Sequence, residues 1–283
     1  MKFLIVGKNS FLGGRLNKYL SNKNDIDLKS YNLIKKKNYD VLIHLSGPNA
    51  EECDRIKEQS IKLRKKITSQ LLKYSKKNNI RYFFYISTTR VYFKQKFVNE
   101  KSKLNTDNFY AKSHLAAEKE INKFKSKNPN INYKILRLSN CFGYPSKSNL
   151  KHWKMIINNI CQNIFRKNKI TLESNIDFYR DYLSTLTFCR IIEKLIEKNL
   201  KELIFNITSG KSIKISNIAK KIQVLLDKKF KKKILIHSKL IKKEKKIIFS
   251  NKKILKNIGP IKNNFETELL DLLIYCNKKF KKN

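Results

Sequence analysis

The chain has 283 residues, 41% of them apolar and 30% charged, and a formal net charge of +42. That length can bury one large domain or two unequal lobes, and that apolar share excludes a disordered chain. The basic residues are overwhelmingly lysine and are spread along the sequence. They form no arginine-rich stripe with interleaved aromatics, so the charge reads as a solvated surface and not as a dedicated nucleic-acid face.

No run approaches the roughly 18 consecutive apolar residues that span a bilayer. Met1-Lys2-Phe3-Leu4-Ile5-Val6-Gly7 is too short for a signal peptide and passes straight into a glycine turn, so it reads as a first strand. The five cysteines, odd in number and without a C-x-x-C pair, fit a reduced, cytoplasmic protein with neither a disulfide framework nor a metal site. So many lysines would still draw phosphorylated substrates and stick to polyanions in a salt-sensitive way.

The first half alternates strand and helix. Lys2 to Val6 is an apolar strand, Phe11 to Leu20 has helical spacing, and Asp25 to Leu28 is a short second strand. Val41 to Leu45 is a buried strand stopped by Ser46-Gly47-Pro48. One long amphipathic helix is predicted from Glu51 to Lys77, with Ile56, Leu63, Ile67, Leu71 and Tyr74 on its apolar side. Tyr82 to Ile86 and Ile135 to Leu138 are strands around a helix from Tyr110 to Lys125. Such a rhythm predicts a doubly wound parallel sheet covered on both faces, with ligands at the carboxyl ends of its strands.

After Gly143 the rhythm loosens. A helix is expected within Lys147 to Ile164, which carries the single Trp153, further helices over Ser184 to Lys198, Ser216 to Leu226 and Phe265 to Phe280, and a strand over Leu203 to Ile207. Lys228 to Lys246 reads as a lysine-dense hairpin or linker. The expected organisation is a nucleotide-binding lobe over 1–145, to which 175–208 returns, and a smaller lobe built from 146–174 and 209–283.

Gly7-Lys8-Asn9-Ser10-Phe11-Leu12-Gly13 leaves the first strand and opens a helix. A dinucleotide turn needs a glycine to leave the strand, a small residue against the pyrophosphate and a glycine where helix meets strand. Gly7, Ser10 and Gly13 fill those places, and the helix N-terminus would supply amide donors. The spacing alone also fits an ordinary tight turn; its strand–turn–helix context favours the phosphate cradle.

Further segments carry a resemblance. Asp40-Val41-Leu42-Ile43-His44-Leu45-Ser46-Gly47, Ile86-Ser87-Thr88-Thr89-Arg90-Val91-Tyr92 and Tyr110-Ala111-Lys112-Ser113-His114-Leu115-Ala116-Ala117-Glu118 follow the glycine turn. Arg137-Leu138-Ser139-Asn140-Cys141-Phe142-Gly143-Tyr144-Pro145, Arg180-Asp181-Tyr182-Leu183 and Asn206-Ile207-Thr208-Ser209-Gly210 complete the series. In this order they resemble the extended short-chain dehydrogenases, the NAD-dependent epimerase/dehydratase family of nucleotide-sugar enzymes. The resemblance implies a Rossmann-type sheet, NAD or NADP as cofactor, a nucleotide sugar as substrate and a homodimer packed through the helices from Glu51 and from Tyr110. Gly7, Ser10, Phe11, Leu12, Gly13, Leu45, Ser46 and Gly47 would then line the dinucleotide.

The resemblance makes Tyr110 the proton relay, Thr88 the hydroxyl on the reacting oxygen, and the residue one helical turn after Tyr110 the cationic partner on the nicotinamide ribose. Family members place lysine there; this chain has His114. His114 shares the helix face of Tyr110, whereas Lys112 points elsewhere. A unit charge at about 4 Å is worth on the order of 4 kcal/mol at an effective dielectric of 20, so a neutral imidazole would forfeit much of the help a phenol needs to act as base. Either His114 is kept protonated or the oxidised nicotinamide supplies the field. The retained Tyr110 and Thr88 favour a working enzyme, in which His114→Lys preserves or raises turnover. The rival is a non-catalytic NAD(P)-binding sensor or scaffold, and a nucleic-acid-binding protein rests on charge alone.

Members that eliminate water between sugar carbons 4 and 6 carry an acid pair after the hydroxyl residue; here those positions are Thr89 and Arg90, which disfavours that reaction. Epimerisation or keto reduction remain. Arg180 and Asn140 would hold the diphosphate, although Arg180 can also be read as a surface partner of Asp181. Arg90 lies close enough in sequence to the chemistry to touch substrate. Asp27 and Lys29, at the second strand's end, argue for NAD and NADP respectively and leave the choice open. His44 reads as a packed strand residue, and His152 and His237 lack partners at metal spacing.

Overall fold

The computed structural model describes residues 1–34, 37–105, 107–146, 151–172, 176–238, 242–243 and 245–280, without the side chains of 151, 152 and 243. The first half runs β1 (Lys2–Val6), α1 (Phe11–Leu20), β2 (Asp25–Lys29), β3 (Val41–His44), α2 (Ala50–Ile56), α3 (Glu58–Lys77), β4 (Tyr82–Thr88), β5 (Phe97–Val98), α4 (Phe109–Lys127), β6 (Asn132–Leu138) and β7 (Asn140–Phe142). Then come α5 (Ile156–Lys167), β8 (Ile170–Leu172), β9 (Ile176–Asp177), β10 (Tyr179–Ser184), α6 (Thr185–Glu197), β11 (Ile204–Ile207), β12 (Ser212–Lys214) and α7 (Ile215–Phe230). The chain closes with β13 (Ile236–Ser238), β14 (Lys242–Lys243), β15 (Ile248–Phe249), α8 (Lys252–Ile258) and α9 (Phe265–Phe280).

Six strands form a wholly parallel sheet in the order β11-β6-β4-β3-β1-β2. Burial on both faces explains the unbroken apolar runs: Leu4, Ile5, Val6, Val41, Leu42 and Ile43 are all fully covered. One face packs under α1, α6 and α8, and the other under α3 and α4. Strand order reverses between β1 and β3, and the crevice outside their carboxyl ends is where such sheets bind ligands. A third core joins α5, α7 and α9 to β8 and β10. Beside it stands a smaller sheet, β12-β10-β7.

The doubly wound sheet is as expected, and α9 spans the expected residues. Two expectations need correction. The single helix from Glu51 is two: Lys57, at φ 42 and ψ −119, breaks it between α2 and α3. Both the amide and the hydroxyl of Ser60 donate to the Lys57 carbonyl, at 2.9 and 2.5 Å, which holds the break in place. The helix expected within the stretch from Lys147 is α5, which begins at Ile156 after a 3₁₀ turn, Lys151–Lys154; residues 147–150 of that stretch lie outside the described residues. The lysine-dense stretch is not a hairpin. α7 carries on to Phe230, and β13 and β14 pair in parallel with β8 and β9 instead of with each other. Residues 239–241 and 244 of that stretch lie outside the described residues.

A buried ion pair clasps the two ends of the chain. Arg15 of α1 donates through Nη2 to both carboxylate oxygens of Glu268 in α9, at 2.9 and 3.2 Å, and through Nε to Thr185. Its guanidinium also lies 3.8 Å over the Tyr144 ring. Glu268 in turn accepts the first-turn amide of Leu186 in α6.

Candidate active site

The glycine turn stands at the topological switch. Gly7 sits at φ +140, a region that suits glycine, and its amide donates to Lys29 O at 2.8 Å. A Cβ on Gly13 would lie 2.8 Å from Gly7 O, so only glycine lets the helix approach the strand this closely. Ser10 caps α1, its Oγ accepting from Gly13 N at 3.1 Å. Its role in the fold is therefore a cap, which explains how serine serves at the middle position. No acidic residue occupies the first turn, Phe11 and Leu12 included, so the helix dipole there is left open to an anion.

The strand-end loop after β3 forms the opposite wall. His44 is fully buried; Nδ1 accepts from Ser46 N at 3.2 Å, so Nε2 carries the proton and donates to Thr68 Oγ1 at 3.0 Å. Burial, seconded by Arg64, drives its pKa down to about 3. It is the packed strand residue that its sequence context suggests. Leu45 is tied by its amide to Val6 O at 2.8 Å. Over Gly47 lies the Arg64 guanidinium, whose Nη1 a Cβ there would meet at 2.5 Å.

The surroundings of Tyr110 are built where β4 ends and α4 begins. Asn108 caps α4 by accepting from Ala111 N at 2.8 Å, which fixes Tyr110 in the first turn. Tyr110 is half-buried, and its hydroxyl has no hydrogen-bond partner among the described residues. One turn on, His114 is 3% exposed, its ring centroid 4.6 Å from that of Tyr110 in an edge-to-face pair. Its Nδ1 meets the Tyr85 hydroxyl of β4 at 2.7 Å, and its Nε2 is buried without a partner among the described residues. Burial first, then the charges of Arg64, His44 and Arg90, hold His114 well below the usual imidazole range. The histidine is neutral, which removes the protonated alternative. Thr88 ends β4 with its Oγ1 accepting from Arg90 N at 3.2 Å, leaving the hydroxyl proton to donate elsewhere. Thr89 is buried, while exposed Arg90 lies with its guanidinium 5.6 Å from the Tyr110 ring centroid.

Tyr110, His114, Thr88 and Arg90 thus gather at one strand end. Asn140 and Arg180 stand on the smaller sheet. Asn140 Nδ2 donates to Asp181 O at 3.0 Å, and Arg180 Nη1 to Tyr179 O at 2.7 Å, with its guanidinium 4.6 Å over Phe178. The surface pairing of Arg180 with Asp181 fails, because Asp181 is fully buried and accepts from the amide and hydroxyl of Ser209, both at 2.9 Å. Burial lifts the Asp181 carboxyl to about 6.

Sequence reasoning missed Tyr85 and Arg64. Tyr85 hides in an apolar strand, where nothing marks one tyrosine among phenylalanines. Arg64 hides among lysines, yet it falls on the buried stripe of α3 with Ser60, Ile67, Thr68, Leu71 and Ser75, and that periodicity was the available signal.

A dinucleotide fits these residues: the Gly7–Gly13 contact leaves a backbone-walled cradle, and the orphaned His114 Nε2 calls for a polar partner that the described residues do not supply. The model of the NAD dependent epimerase/dehydratase family matches residues 3–208. Among solved structures the chain is similar to RMD from Pseudomonas aeruginosa, complexed with NADPH, with TM-score 0.84 and 18% identity over 98% of each chain. It is similar to a UDP-glucuronic acid 4-epimerase from Bacillus cereus in complex with NAD, with TM-score 0.81 and 18% identity over 99% of this chain and 100% of that one. TunA, an NAD-dependent NDP-hexosamine 5,6-dehydratase involved in tunicamycin biosynthesis, gives TM-score 0.80 and 14% identity over 98% of each chain. At such identities the likeness is one of fold. No curated protein sequence matches.

Proposed function

The chain belongs to the NAD dependent epimerase/dehydratase family, and on that premise we propose that it binds NAD(P) and epimerises or reduces a nucleotide-activated sugar, with Tyr110 as the proton relay. The single observation that carries this reading is the meeting of Tyr110, His114 and Thr88 at the carboxyl end of β4.

Bound nicotinamide supplies a hydride acceptor or donor for one sugar carbon. Tyr110 moves the accompanying proton: its oxygen takes the proton of the sugar hydroxyl on oxidation and returns it on reduction. Thr88 donates its free hydroxyl proton to the reacting oxygen and orients it. His114, neutral and held by Tyr85, offers Nε2 to the ribose. Gly7, Ser10, Phe11, Leu12 and Gly13 present α1 to the pyrophosphate, with Leu45, Ser46 and Gly47 along the other side. Arg180 and Asn140 take the substrate diphosphate, and the layer formed by 146–174 and 209–283 closes over the sugar. Thr89 and Arg90 bring no carboxylic acid, which speaks for epimerisation or reduction over 4,6-dehydration.

The dinucleotide is NADP(H). Asp27 is spent inside the strand, accepting from the Tyr39 hydroxyl at 2.5 Å and from Lys37 at 3.0 Å. The strand end itself carries exposed Lys29, whose carbonyl takes the amides of Gly7 and Lys8, so the residue facing a 2′-substituent is basic. No helix among the described residues is long and apolar enough to cross a membrane, and five free thiols suit a reducing, cytoplasmic setting. A homodimer through α3 and α4 completes the reading.

Fluorescence titration with NADPH and NADH, followed by turnover assays on UDP-, GDP- and dTDP-sugars, tests it. Turnover lost in Tyr110→Phe supports it; turnover that survives sinks it. The neutral His114 favours one second reading, a dinucleotide sensor without chemistry, which saturable binding without turnover would establish.

A further inference from the structure

Arg64 enters the site from α3. It is 3% exposed, and none of the ion pairs formed by the described residues includes it. Its bonds go to neutral acceptors: Nε donates to Ser113 Oγ at 3.0 Å, Nη1 to Ser46 O at 3.4 Å, and Nη2 to Pro48 O. Neutral acceptors hold a cation in place without cancelling its field, and a guanidinium keeps its charge. A buried cation without a counter-charge is costly, so its place in the fold asks for a use. The guanidinium carbon lies 5.8 Å from the Tyr110 ring centroid. Its influence reaches Tyr85 and heads the charges acting on His114.

We propose that Arg64 is a positioning residue for the proton relay, the buried cation whose field stabilises Tyr110 in its deprotonated form. The inference rests on the reading of Tyr110 as that relay. The charged and titratable groups around the phenol are Arg64 from α3, Arg90 from the turn after β4, Tyr85 from β4 and His114 from α4, with His44 of β3 behind and, further along α4, buried Glu118 paired with Arg137 of β6. His114 is neutral. Arg90 is exposed, so water and salt screen it. Glu118 and Arg137 are sheltered but cancel each other as an ion pair, so among these described residues Arg64 is the sheltered charge left uncancelled. It lies there because Gly47 leaves the guanidinium room, so the Ser46-Gly47-Pro48 loop and the cation are built around each other.

A structural clamp and a source of field differ in their tests. Arg64→Gln keeps donors and loses charge; Arg64→Lys keeps charge and loses the fork. In the pH profile of kcat/KM, Arg64→Gln should move the acid limb upward by about one unit or more, since each tenfold loss of phenolate is one pH unit. Arg64→Lys should keep the wild-type limb, and Arg90→Gln should move it by less than half as much. An unmoved limb in Arg64→Gln, or equal shifts in Arg64→Gln and Arg64→Lys, overturns the proposal. Should Arg64→Gln fail to fold, the wild type still decides: at about 1 M salt, which screens Arg90 and the surface lysines, the limb should hold. A climb of about a unit would assign the field to exposed charge. The phenolate difference spectrum of wild type minus Tyr110→Phe should move to higher pH in the Arg64→Gln background and hold in the Arg64→Lys background, and it needs no turnover. It therefore separates failure of this inference from failure of the proposed reaction.

Discussion

The Tyr85 hydroxyl lies 2.7 Å from Nδ1 of His114, so a sheet residue and a helix residue hold each other across the floor of the site. Removing that hydroxyl leaves both ring nitrogens of a buried histidine without partners among the described residues. Tyr85→Phe should cost about 1–3 kcal/mol in urea unfolding and lower turnover about tenfold. Tyr110→Phe, whose lost hydroxyl has no such partner, should leave stability within about 0.5 kcal/mol while abolishing turnover. A Tyr85→Phe protein with unchanged midpoint would show that the contact carries no energy.

For His114→Lys, which the sequence expects to preserve or raise turnover, the buried surroundings argue against the gain. The new ammonium would be buried beside the Arg64 guanidinium, whose charge already opposes protonation at this position. The substitution should lower the melting temperature and leave turnover unimproved. A gain in turnover, measured at saturating NADPH, would mean that the site lacks a cation after all.

Arg15→Ala should be among the most damaging substitutions far from the chemistry. It strips the counter-charge from Glu268, whose side chain is 1% exposed, and breaking a buried pair costs about 3–5 kcal/mol. Denaturant unfolding reads this directly. Lys23→Ala, on an exposed pair with Glu193, should change little by comparison.

Asp181 gives the fold a pH signature. Its carboxyl is lifted to about 6 by burial, above the ordinary aspartate value. A raised folded value contributes stability that is fully present below about pH 4 and is lost as pH rises through about 6. Two units correspond to about 3 kcal/mol. Relative to Asp181→Asn, the wild type should therefore lose about that much between pH 4 and pH 7; a pH-independent difference would contradict it.

If the proposed NADP(H) reading holds, Lys29→Glu should weaken NADPH binding at least tenfold while leaving NADH within about threefold, because in that reading the 2′-phosphate is what meets the strand end. Equal losses for both would place Lys29 elsewhere on the dinucleotide. The dimer has its own test. α3 and α4 turn exposed Lys62, Lys65, Lys66, Lys73, Lys119 and Lys123 outward. Self-association through this face should strengthen with salt as screening shortens from about 30 Å at 0.01 M to about 3 Å at 1 M. Sedimentation showing the reverse would remove this face from the interface.

The sheet was legible because its strands are buried on both faces, so Val41 to Ile43 and Leu4 to Val6 leave no choice but an interior. The glycine turn and the place of Tyr110 at the start of α4 were legible through the resemblance and their local context. Less could be read where tertiary contact decides. The break at Lys57 depends on Ser60 bonding back to it, and no breaker residue announces it. The strands after Phe230 pair with partners more than sixty residues away, which leaves no periodic trace. The neutral state of His114 follows from burial and from Arg64, neither of which local spacing reveals.

The clasp between Arg15 and Glu268 joins residues 253 positions apart. During synthesis the first helix thus emerges long before its counter-charge exists. The nascent amino-terminal lobe must wait, with an unpaired guanidinium at its flank, until Glu268 has left the ribosome. Loss of the final helix would return the finished protein to that waiting state.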